Sequence, residues 1–344
     1  MPKQQMKAIG LLKYLPIHES ESLLDVMIDV PEPSGRDLLV RVKAISVNPV
    51  DVKVRAPKSK IENTLKVLGW DVAGIVEQVG PESSLFKPGD EVYYAGSIDR
   101  PGGNSELHLV DERIVGFKPE TLEFAHAAAL PLTAITAWEA LFDRLGVSTS
   151  TEQNEGKSIL IIGAAGGVGS IATQLAKHAG LTVIGTASRP ESSDWAKQMG
   201  ADYIINHYED FLPQLQAQGL KEVDYIFCLN STDKHWSNMA EAIAPQGKIC
   251  SIVETDEPLN LTLLKNKSVT FSWELMFTRP LFQTSDMLEQ HKLLNEVSRM
   301  IDEGSLRTTV AQTLSPIHAA NLRKAHAIVE EGRMTGKIVL ENFE

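Results

Sequence analysis

From about residue 157 onward, apolar runs rich in β-branched residues alternate with stretches whose apolar positions recur every three or four residues. The runs at residues 159–162, 182–187, 203–205, 224–229 and 248–253 predict strands. The stretches between them, such as residues 192–199 and 235–244, predict helices. That alternation implies a parallel sheet covered on both faces, the doubly wound α/β class. The earlier chain has a different texture. Up to about residue 125, short runs at residues 6–12, 23–30, 38–47, 67–79, 91–95, 105–110 and 114–117 predict strands separated by Gly/Pro turns such as Lys87-Pro88-Gly89-Asp90. A compact, barrel-like β domain is expected there. Residues 122–144 are rich in Ala and Leu and predict helix broken at Pro131. Beyond the sheet, Val269, Phe271, Trp273 and Leu275 alternate without a fault. They predict a strand with one buried face, and an edge strand that pairs with a second subunit. Residues 286–303 and 318–331 predict helices, and residues 306–314 and 336–341 predict strands.

The apolar run at residues 158–162 leads straight into Gly163, Ala164, Ala165, Gly166, Gly167, Val168 and Gly169, and then into a helix-period stretch that stops at Gly180. Strand, glycine turn and helix is the context of a dinucleotide fingerprint. Residues without a bulky side chain let the backbone approach a pyrophosphate, and the new helix aims free N–H groups at that anion. Ala164 takes the first fingerprint position, with Gly166 and Gly169 in the other two. At the end of the next strand, NAD-preferring sites place an acidic residue on the ribose hydroxyls. Here Thr186-Ala187-Ser188-Arg189 carries none. A hydroxyl at Ser188 and a guanidinium at Arg189 suit a 2′-phosphate, so the expected cofactor is NADPH.

Composition narrows the setting. The chain of 344 residues is long enough for two domains, and its net charge of −12 disfavours nucleic acid or an anionic membrane surface as a main partner. Cys228 and Cys250 both lie in apolar runs and read as small core residues, not a disulfide. With no signal-peptide pattern at Met1–Lys7 and no apolar stretch long enough to span a bilayer, a cytoplasmic location is expected.

Several landmarks then fall in one order: Asn48-Pro49-Val50-Asp51, Gly69-Trp70-Asp71-Val72-Ala73-Gly74, Lys87 to Val92, Ala127 to Pro131, the glycine turn, and Thr335 to Leu340. Over nearly its whole length the chain resembles the medium-chain dehydrogenase/reductase superfamily. The Asn-Pro-x-Asp and Ala-Ala-Gly-Gly-Val-Gly forms are similar to the zinc-independent quinone oxidoreductase, or zeta-crystallin-like, branch. Residues 89–96, 111–116 and 276–279 resemble a bacterial subgroup labelled zinc-type alcohol dehydrogenase-like. The resemblance implies a GroES-like β-rich catalytic domain, residues 1–125 and 280–344, split around a Rossmann domain at residues 126–279. It implies catalytic-site roles for Asn48, Asp51 and Lys53, which would line the floor of the nicotinamide cleft, Asn48 donating to the substrate carbonyl. Lys53 stands where related quinone reductases carry a tyrosine. Trp70, Tyr94, Met276 and Phe277 would wall the substrate pocket. Thr136 would lie near the nicotinamide amide and Asn230 after the fourth strand. His207 and Arg333 would help hold the 2′-phosphate, while the family's phosphate lysine falls on Ser192. A homodimer is expected.

The zinc label fails on residue chemistry. The family's three catalytic ligand positions fall on Asn48, Trp70 and Leu132, and the cysteines of a structural zinc lobe are missing. Asparagine, tryptophan and leucine cannot replace a Cys/His/Cys set, so no metal is expected. Without a metal to stabilise an alkoxide, hydride delivery to a conjugated acceptor is the easier chemistry. The expected function is NADPH-dependent, zinc-independent reduction of small quinones or α,β-unsaturated carbonyls. The alternatives are an alcohol dehydrogenase or ketone reductase, and a non-catalytic NADPH-binding protein.

Overall fold

The computed structural model describes residues 4–343. Met1–Lys3, part of the N-terminal stretch in which no signal-peptide pattern was read, lie outside the described residues. Two compact units emerge: the described residues of Met1–Leu132 and Phe277–Glu344 form one, and Thr133–Met276 the other.

The first unit opens with β1 (Gln5–Tyr14), β2 (Leu24–Asp29), β3 (Asp37–Val47), α1 (Pro49–Arg55), β4 (Lys58–Val67), β5 (Val72–Val79), β6 (Glu91–Tyr94), β7 (Leu107–Asp111), β8 (Val115–Phe117) and α2 (Phe124–Ala128). Helix α3 (Pro131–Trp138) carries the chain into the second unit and continues as a π-helix over Glu139–Arg144. There follow β9 (Ser158–Ile162), α4 (Gly167–His178), β10 (Thr182–Thr186), α5 (Pro190–Gln198), β11 (Tyr203–Ile205), α6 (Phe211–Ala217), β12 (Val223–Cys228), α7 (Thr232–Ala242), β13 (Ile243–Ser251), α8 (Thr262–Lys265) and β14 (Thr270–Trp273). The chain returns to the first unit with α9 (Thr278–Phe282), α10 (Leu288–Asp302), β15 (Val310–Leu314), α11 (Ala319–Glu330) and β16 (Lys337–Glu341).

In the first unit a seven-stranded sheet runs β15-β16-β3-β5-β6-β8, with β7 also pairing β3, and a three-stranded sheet runs β2-β1-β4. The C-terminal strand β16 lies antiparallel to β3, pairing Ile338 with Val47. Helix α2 buries Ala125, Ala127 and Ala128 and packs on β3, β5 and β16. That packing draws residues 126–132 into the first unit instead of the second. Residues 67–79 are not one strand. The chain breaks between β4 and β5 at Gly69, whose φ of +112° is open to glycine and strained for other residues, and the break turns Trp70 and Asp71 inward. Strand β4 and helix α1 carry no clear apolar period: β4 is a mostly exposed edge, and α1 has Val50, Val52 and Val54 at strand spacing.

The second unit is a parallel sheet in the order β11-β10-β9-β12-β13-β14. In chain order this is 3-2-1-4-5-6, the dinucleotide-binding arrangement, with its switch point between β9 and β12. Central β9 is buried at every position, as a strand covered on both faces must be. At the far edge, β14 departs from expectation. The alternation is present, but Trp273 is 47% and Leu275 52% exposed, while Glu274 and Met276 are buried. Val269 and Phe271 pack half-buried on the sheet's core, so the part of the face expected to be buried that is open within a single chain is Trp273 and Leu275.

Candidate active site

In the second unit, Gly163–Gly169, Ser188, Arg189, His207 and Asn230 all follow the carboxyl ends of strands. Gly163 leaves β9 with φ of +90°, and its N–H donates to Thr186 Oγ1 at the end of β10 at 3.0 Å. Gly166 is the N-cap of α4, so no side-chain oxygen caps the free N–H groups of that helix. A Cβ added at Gly166 would meet only the Gly163 carbonyl oxygen, at 3.5 Å, so the space above it is open. A Cβ at Gly169 would instead collide with the Gly163 carbonyl and the Ala164 backbone; there the glycine serves close turn–helix packing. Ala164 and Ala165 are buried, and Gly167 and Val168 open the helix half-buried. Trp195 Nε1 donates to Ser170 Oγ at 2.8 Å, and that hydroxyl donates to the Gly166 carbonyl at 2.7 Å, so α5 braces the turn. An open, anion-directed cradle of this kind fits a pyrophosphate.

The neighbouring strand ends follow in register. Thr186 pairs with Ile205, so Ser188 and His207, each two residues further on, sit level at the carboxyl edge. Ser188 is exposed, and Arg189 is the half-buried N-cap of α5. Ser192 turns its hydroxyl onto the Arg189 carbonyl at 2.9 Å and is used in capping. Asn230 is exposed past β12, its Cβ 3.8 Å from where a side chain at Gly163 would begin. Thr136 is buried on α3. Arg333 is exposed between α11 and β16 and belongs to the first unit, whereas Ser188, Arg189 and His207 belong to the second.

The first unit holds a buried polar node. Asn48 caps α1, and its backbone N–H donates to Asp51 Oδ2 at 2.8 Å in a capping box. The Asn48 amide nitrogen donates to Asp71 Oδ2 at 2.8 Å and to the Trp70 carbonyl at 3.1 Å. Its amide oxygen accepts from Lys337 Nζ. Flipping the amide would set oxygen against a carboxylate and nitrogen against an ammonium, so the electrostatics fix its orientation. Both amide hydrogens are thereby used within the node, leaving none for a substrate carbonyl in this arrangement. Lys337 Nζ also lies 3.0 Å from Asp71 Oδ2 and 3.2 Å from the Val47 carbonyl, and the ion pair is almost wholly buried, its side chains 3% and 0% exposed. Asp71 Oδ1 accepts from the Leu132 N–H at 2.7 Å, in the first turn of α3.

One buried ammonium faces two buried carboxyls, and the balance shows in their protonation. Burial pushes Asp51 up to about 7; the Asn48 N–H and the Lys337 charge oppose the rise, and Asp71 adds to it. Burial raises Asp71 as well, against Lys337, the Leu132 N–H and Asn48. Lys337 and Asp71 were not singled out from sequence as site residues. Lys337 lies 266 positions from Asp71 and no local pattern links them. Only the position of Lys337 inside a family landmark could have flagged it.

The remaining candidates divide plainly. Lys53 is exposed on the last turn of α1, away from the buried face that carries Asp51. Trp70, Tyr94, Met276 and Phe277 are all buried. Trp70 meets Phe277 edge-on at 6.1 Å between ring centroids and donates its indole N–H to the Ser97 carbonyl at 3.1 Å. Tyr94 bonds His108 Nδ1 at 3.1 Å, and burial depresses that imidazole to about 4. The neutral ring therefore accepts from Tyr94 and donates through Nε2 to the Pro101 carbonyl at 2.9 Å. The three metal-ligand positions do converge, since Asn48 touches the Trp70 backbone and Asp71 ties Asn48 to the Leu132 backbone. Their chemistry is a spent carboxamide, an indole and an aliphatic side chain, which does not fit zinc. Among the described residues no group of three His, Cys, Asp or Glu is placed to hold a metal. No helix among them is long and apolar enough to cross a membrane.

Comparison with known proteins gives the same architecture a lineage. Residues 34–125 match the alcohol dehydrogenase GroES-like domain, and residues 199–340 match the zinc-binding dehydrogenase family. A zinc-type alcohol dehydrogenase-like protein of Staphylococcus aureus is 44% identical over 97% of this chain and 99% of its own length. A quinone oxidoreductase of Pseudomonas aeruginosa is 32% identical over 90% of this chain and 92% of its own. A 2-methylene-furan-3-one reductase of Solanum lycopersicum is 39% identical over 54% of this chain and 49% of its own. The crystal structure of a putative zinc-dependent alcohol dehydrogenase from Rhizobium etli superposes with a TM-score of 0.94 at 54% identity, covering all of both chains. With this likeness along its full length, the chain belongs to the medium-chain dehydrogenase/reductase superfamily, oxidoreductases that bind nicotinamide cofactors.

Proposed function

We propose that this protein is an NADPH-dependent, zinc-independent reductase of quinones or α,β-unsaturated carbonyls. The observation that carries the reading is the donor chemistry of the buried node. Where a zinc enzyme needs thiolate and imidazole, this chain has a carboxamide locked by Lys337 and Asp71, an indole and a leucine. A reaction whose developing charge spreads into a conjugated acceptor asks for no Lewis acid at that place. Relatives named quinone oxidoreductase and 2-methylene-furan-3-one reductase support the substrate class.

The cofactor supplies the hydride. Gly166 and Gly167 give its pyrophosphate close backbone approach, and the N–H groups opening α4 bind the anion. Ser188 and Arg189, with no acidic residue at the end of β10, favour the 2′-phosphate, and His207 lies level with Ser188. Thr136 and Asn230 complete the proposed contacts. The Asn48–Asp51–Asp71–Lys337 node holds α1 and the start of α3 in place. Lys53, exposed on α1, is offered as an electrostatic contributor and not as a proton donor. Trp70, Tyr94, Met276 and Phe277 supply apolar bulk and exclude water. The buried free thiols Cys228 and Cys250, pushed up to about 11 and about 12 by burial, suit a reducing, cytoplasmic setting. The open apolar edge at β14 suits a homodimer.

The test is NADPH and NADH oxidation against a panel of quinones, 2-alkenals and simple ketones, with and without chelator. Reduction of quinones or alkenals by NADPH, unaffected by chelator, is expected. Stoichiometric zinc with activity lost to chelator, or turnover of alcohols and ketones alone, would establish the alcohol dehydrogenase reading instead. Tight NADPH binding with no acceptor in the panel would leave a non-catalytic binding protein. For the cofactor arm, Arg189→Ala is expected to weaken NADPH about tenfold or more, on the scale of a lost charge-assisted pair, and to leave NADH nearly unchanged.

A further inference from the structure

The glycine turn is held from beneath by a side chain not singled out from the sequence. Trp195 lies half-buried on α5, and its indole N–H donates to Ser170 Oγ at 2.8 Å. An indole nitrogen only donates, so the hydroxyl accepts there and its own hydrogen goes elsewhere. It goes to the Gly166 carbonyl, at 2.7 Å. The Ser170 backbone N–H reaches the same carbonyl at 2.8 Å. Ser170 is wholly buried, so water does not compete for these bonds. Helix α5 is pinned to α4 a second time where Gln174 Nε2 meets Met199 Sδ at 3.6 Å, so the indole is carried on a fixed helix.

What the brace does follows from the geometry of one peptide. The Gly166 carbonyl and the Gly167 N–H belong to the same planar trans unit, in which the two groups point in opposite directions. A carbonyl drawn down onto Ser170 therefore turns the Gly167 N–H out of the N-terminal end of α4. That N–H has no acceptor among the described residues. The peptide lies between two glycines, the residues least able to hold a peptide plane by themselves. Two bonds on its carbonyl, where an ordinary first turn has one, supply what the glycines lack. The donors also run head to tail, from indole N–H to hydroxyl to peptide. Each bond polarises the next, and an anion at the free end strengthens the whole chain.

We propose that Trp195, acting through Ser170, is a positioning residue for the cofactor: it locks the Gly166–Gly167 peptide with its N–H toward the pyrophosphate. The proposal rests on the dinucleotide reading of the glycine turn and holds for NADPH and NADH alike. Left unbraced, a peptide between two glycines spends part of its time with the carbonyl toward the anion, and affinity falls with the fraction of protein that is competent to bind.

The experiment is calorimetric titration of the full-length protein with NADP⁺ and NAD⁺, beside Trp195→Phe, Ser170→Ala, the double variant and Gly166→Val. Trp195→Phe keeps the ring and removes its N–H; Ser170→Ala removes both side-chain bonds. Each is expected to weaken both dinucleotides by the same factor, about three- to tenfold, the scale of one hydrogen bond. The double variant is expected to lose no more than Ser170→Ala alone, because the indole acts on the turn through that hydroxyl. In parent protein labelled with nitrogen-15 tryptophan, the Trp195 indole N–H resonance, identified by its loss in Trp195→Phe, is expected to move downfield as cofactor binds. Unchanged affinity in both single variants, with binding abolished by Gly166→Val, would overturn the inference and spare the dinucleotide reading. Binding that survives Gly166→Val would remove both. Additive losses, or an indole resonance that stays in place as cofactor binds, would reduce the bonds to packing and overturn the inference too. Where Ser170→Ala misfolds, the Trp195→Phe affinity and the indole resonance decide the matter.

Discussion

Lys337 shows how far one side chain can govern the first unit. Its ammonium touches Asn48, Asp71 and the Val47 carbonyl, and Asp71 in turn holds the Leu132 N–H. Removing one member of a buried ion pair leaves a charge with no partner, which costs about 3–5 kcal/mol. Lys337→Met is therefore expected to lower stability by that order, and adding Asp71→Asn, which keeps an acceptor for Leu132, is expected to recover much of the loss. A urea-unfolding double-mutant cycle measures the coupling, and additive losses would show that the pair is not a unit. Asp51 sets a pH dependence of definite sign. Its carboxyl rises from an ordinary 3.8 to about 7 on folding, so the folded state holds the proton more tightly than the unfolded. Its stabilising contribution is complete below about pH 4 and is lost as pH rises through about 7, a fall on the order of a few kcal/mol. Asp51→Asn is expected to flatten that part of the stability–pH curve, and an unchanged slope would assign the dependence elsewhere. At this scale the sequence was only half readable. Asn48 and Asp51 stand in one short motif, and their capping box is a local signal. Lys337 and Asp71 meet only because β16 pairs with β3, a long-range fact that no window of sequence contains.

At the scale of elements, periodicity worked where burial was symmetrical and failed where it was not. β9 and α4 were legible because a strand buried at every position and a helix packed on one face leave unmistakable patterns. Helix α1 was hidden: its valines are spaced like a strand, and only the Asn-Pro start and the Asp51 return bond mark it as a helix. The alternation across residues 269–275 was read correctly and Val269 and Phe271 pack on the core, but Trp273 and Leu275 point to solvent, because periodicity shows that a face exists and not how far it is covered. The glycine turn offers the sharpest test of an element. Gly166 has φ of −72°, ordinary for any residue, and an added Cβ meets nothing in the protein closer than 3.5 Å. Gly166→Val is thus expected to fold with stability within about 1 kcal/mol of the parent, as a surface change away from special backbone does. The same branched side chain fills the space a pyrophosphate needs, so cofactor binding is expected to fall at least a hundredfold. A stable variant that binds NADPH as before would remove the fingerprint assignment; an equivalent change at Gly169 would prove nothing, since it would break the turn itself.

At the scale of the whole molecule, the division into two units follows from chain ends that meet in one sheet, while the segment between them closes a sheet of its own. The open question is what covers β14. It is the last strand of a parallel sheet, paired to β13 on one side only. Trp273 and Leu275 project from it about half exposed, and Leu261 and Leu263 add exposed apolar area in the same unit. An unpaired edge bearing large apolar side chains invites association, and soluble proteins usually blunt such edges with charge. No charged residue lies within Thr270–Trp273, and the one acid that follows, Glu274, is buried against Glu139 and Arg144. Burial and the Glu139 carboxyl raise the Glu274 proton affinity against the Arg144 guanidinium, and the side chain is wholly buried, so it does not face solvent at the edge. A second copy related by a twofold axis would set β14 against its own equivalent, completing the hydrogen bonds and covering Trp273 twice over, as isologous interfaces do. Light scattering on a sizing column is expected to give twice the 37.8 kDa chain mass. Trp273→Lys with Leu275→Lys is expected to shift the species to the chain mass with the fold intact by circular dichroism, because both side chains start from solvent-exposed positions. A parent that runs as a monomer at micromolar concentration, or a double variant that stays dimeric, would move the interface away from this edge.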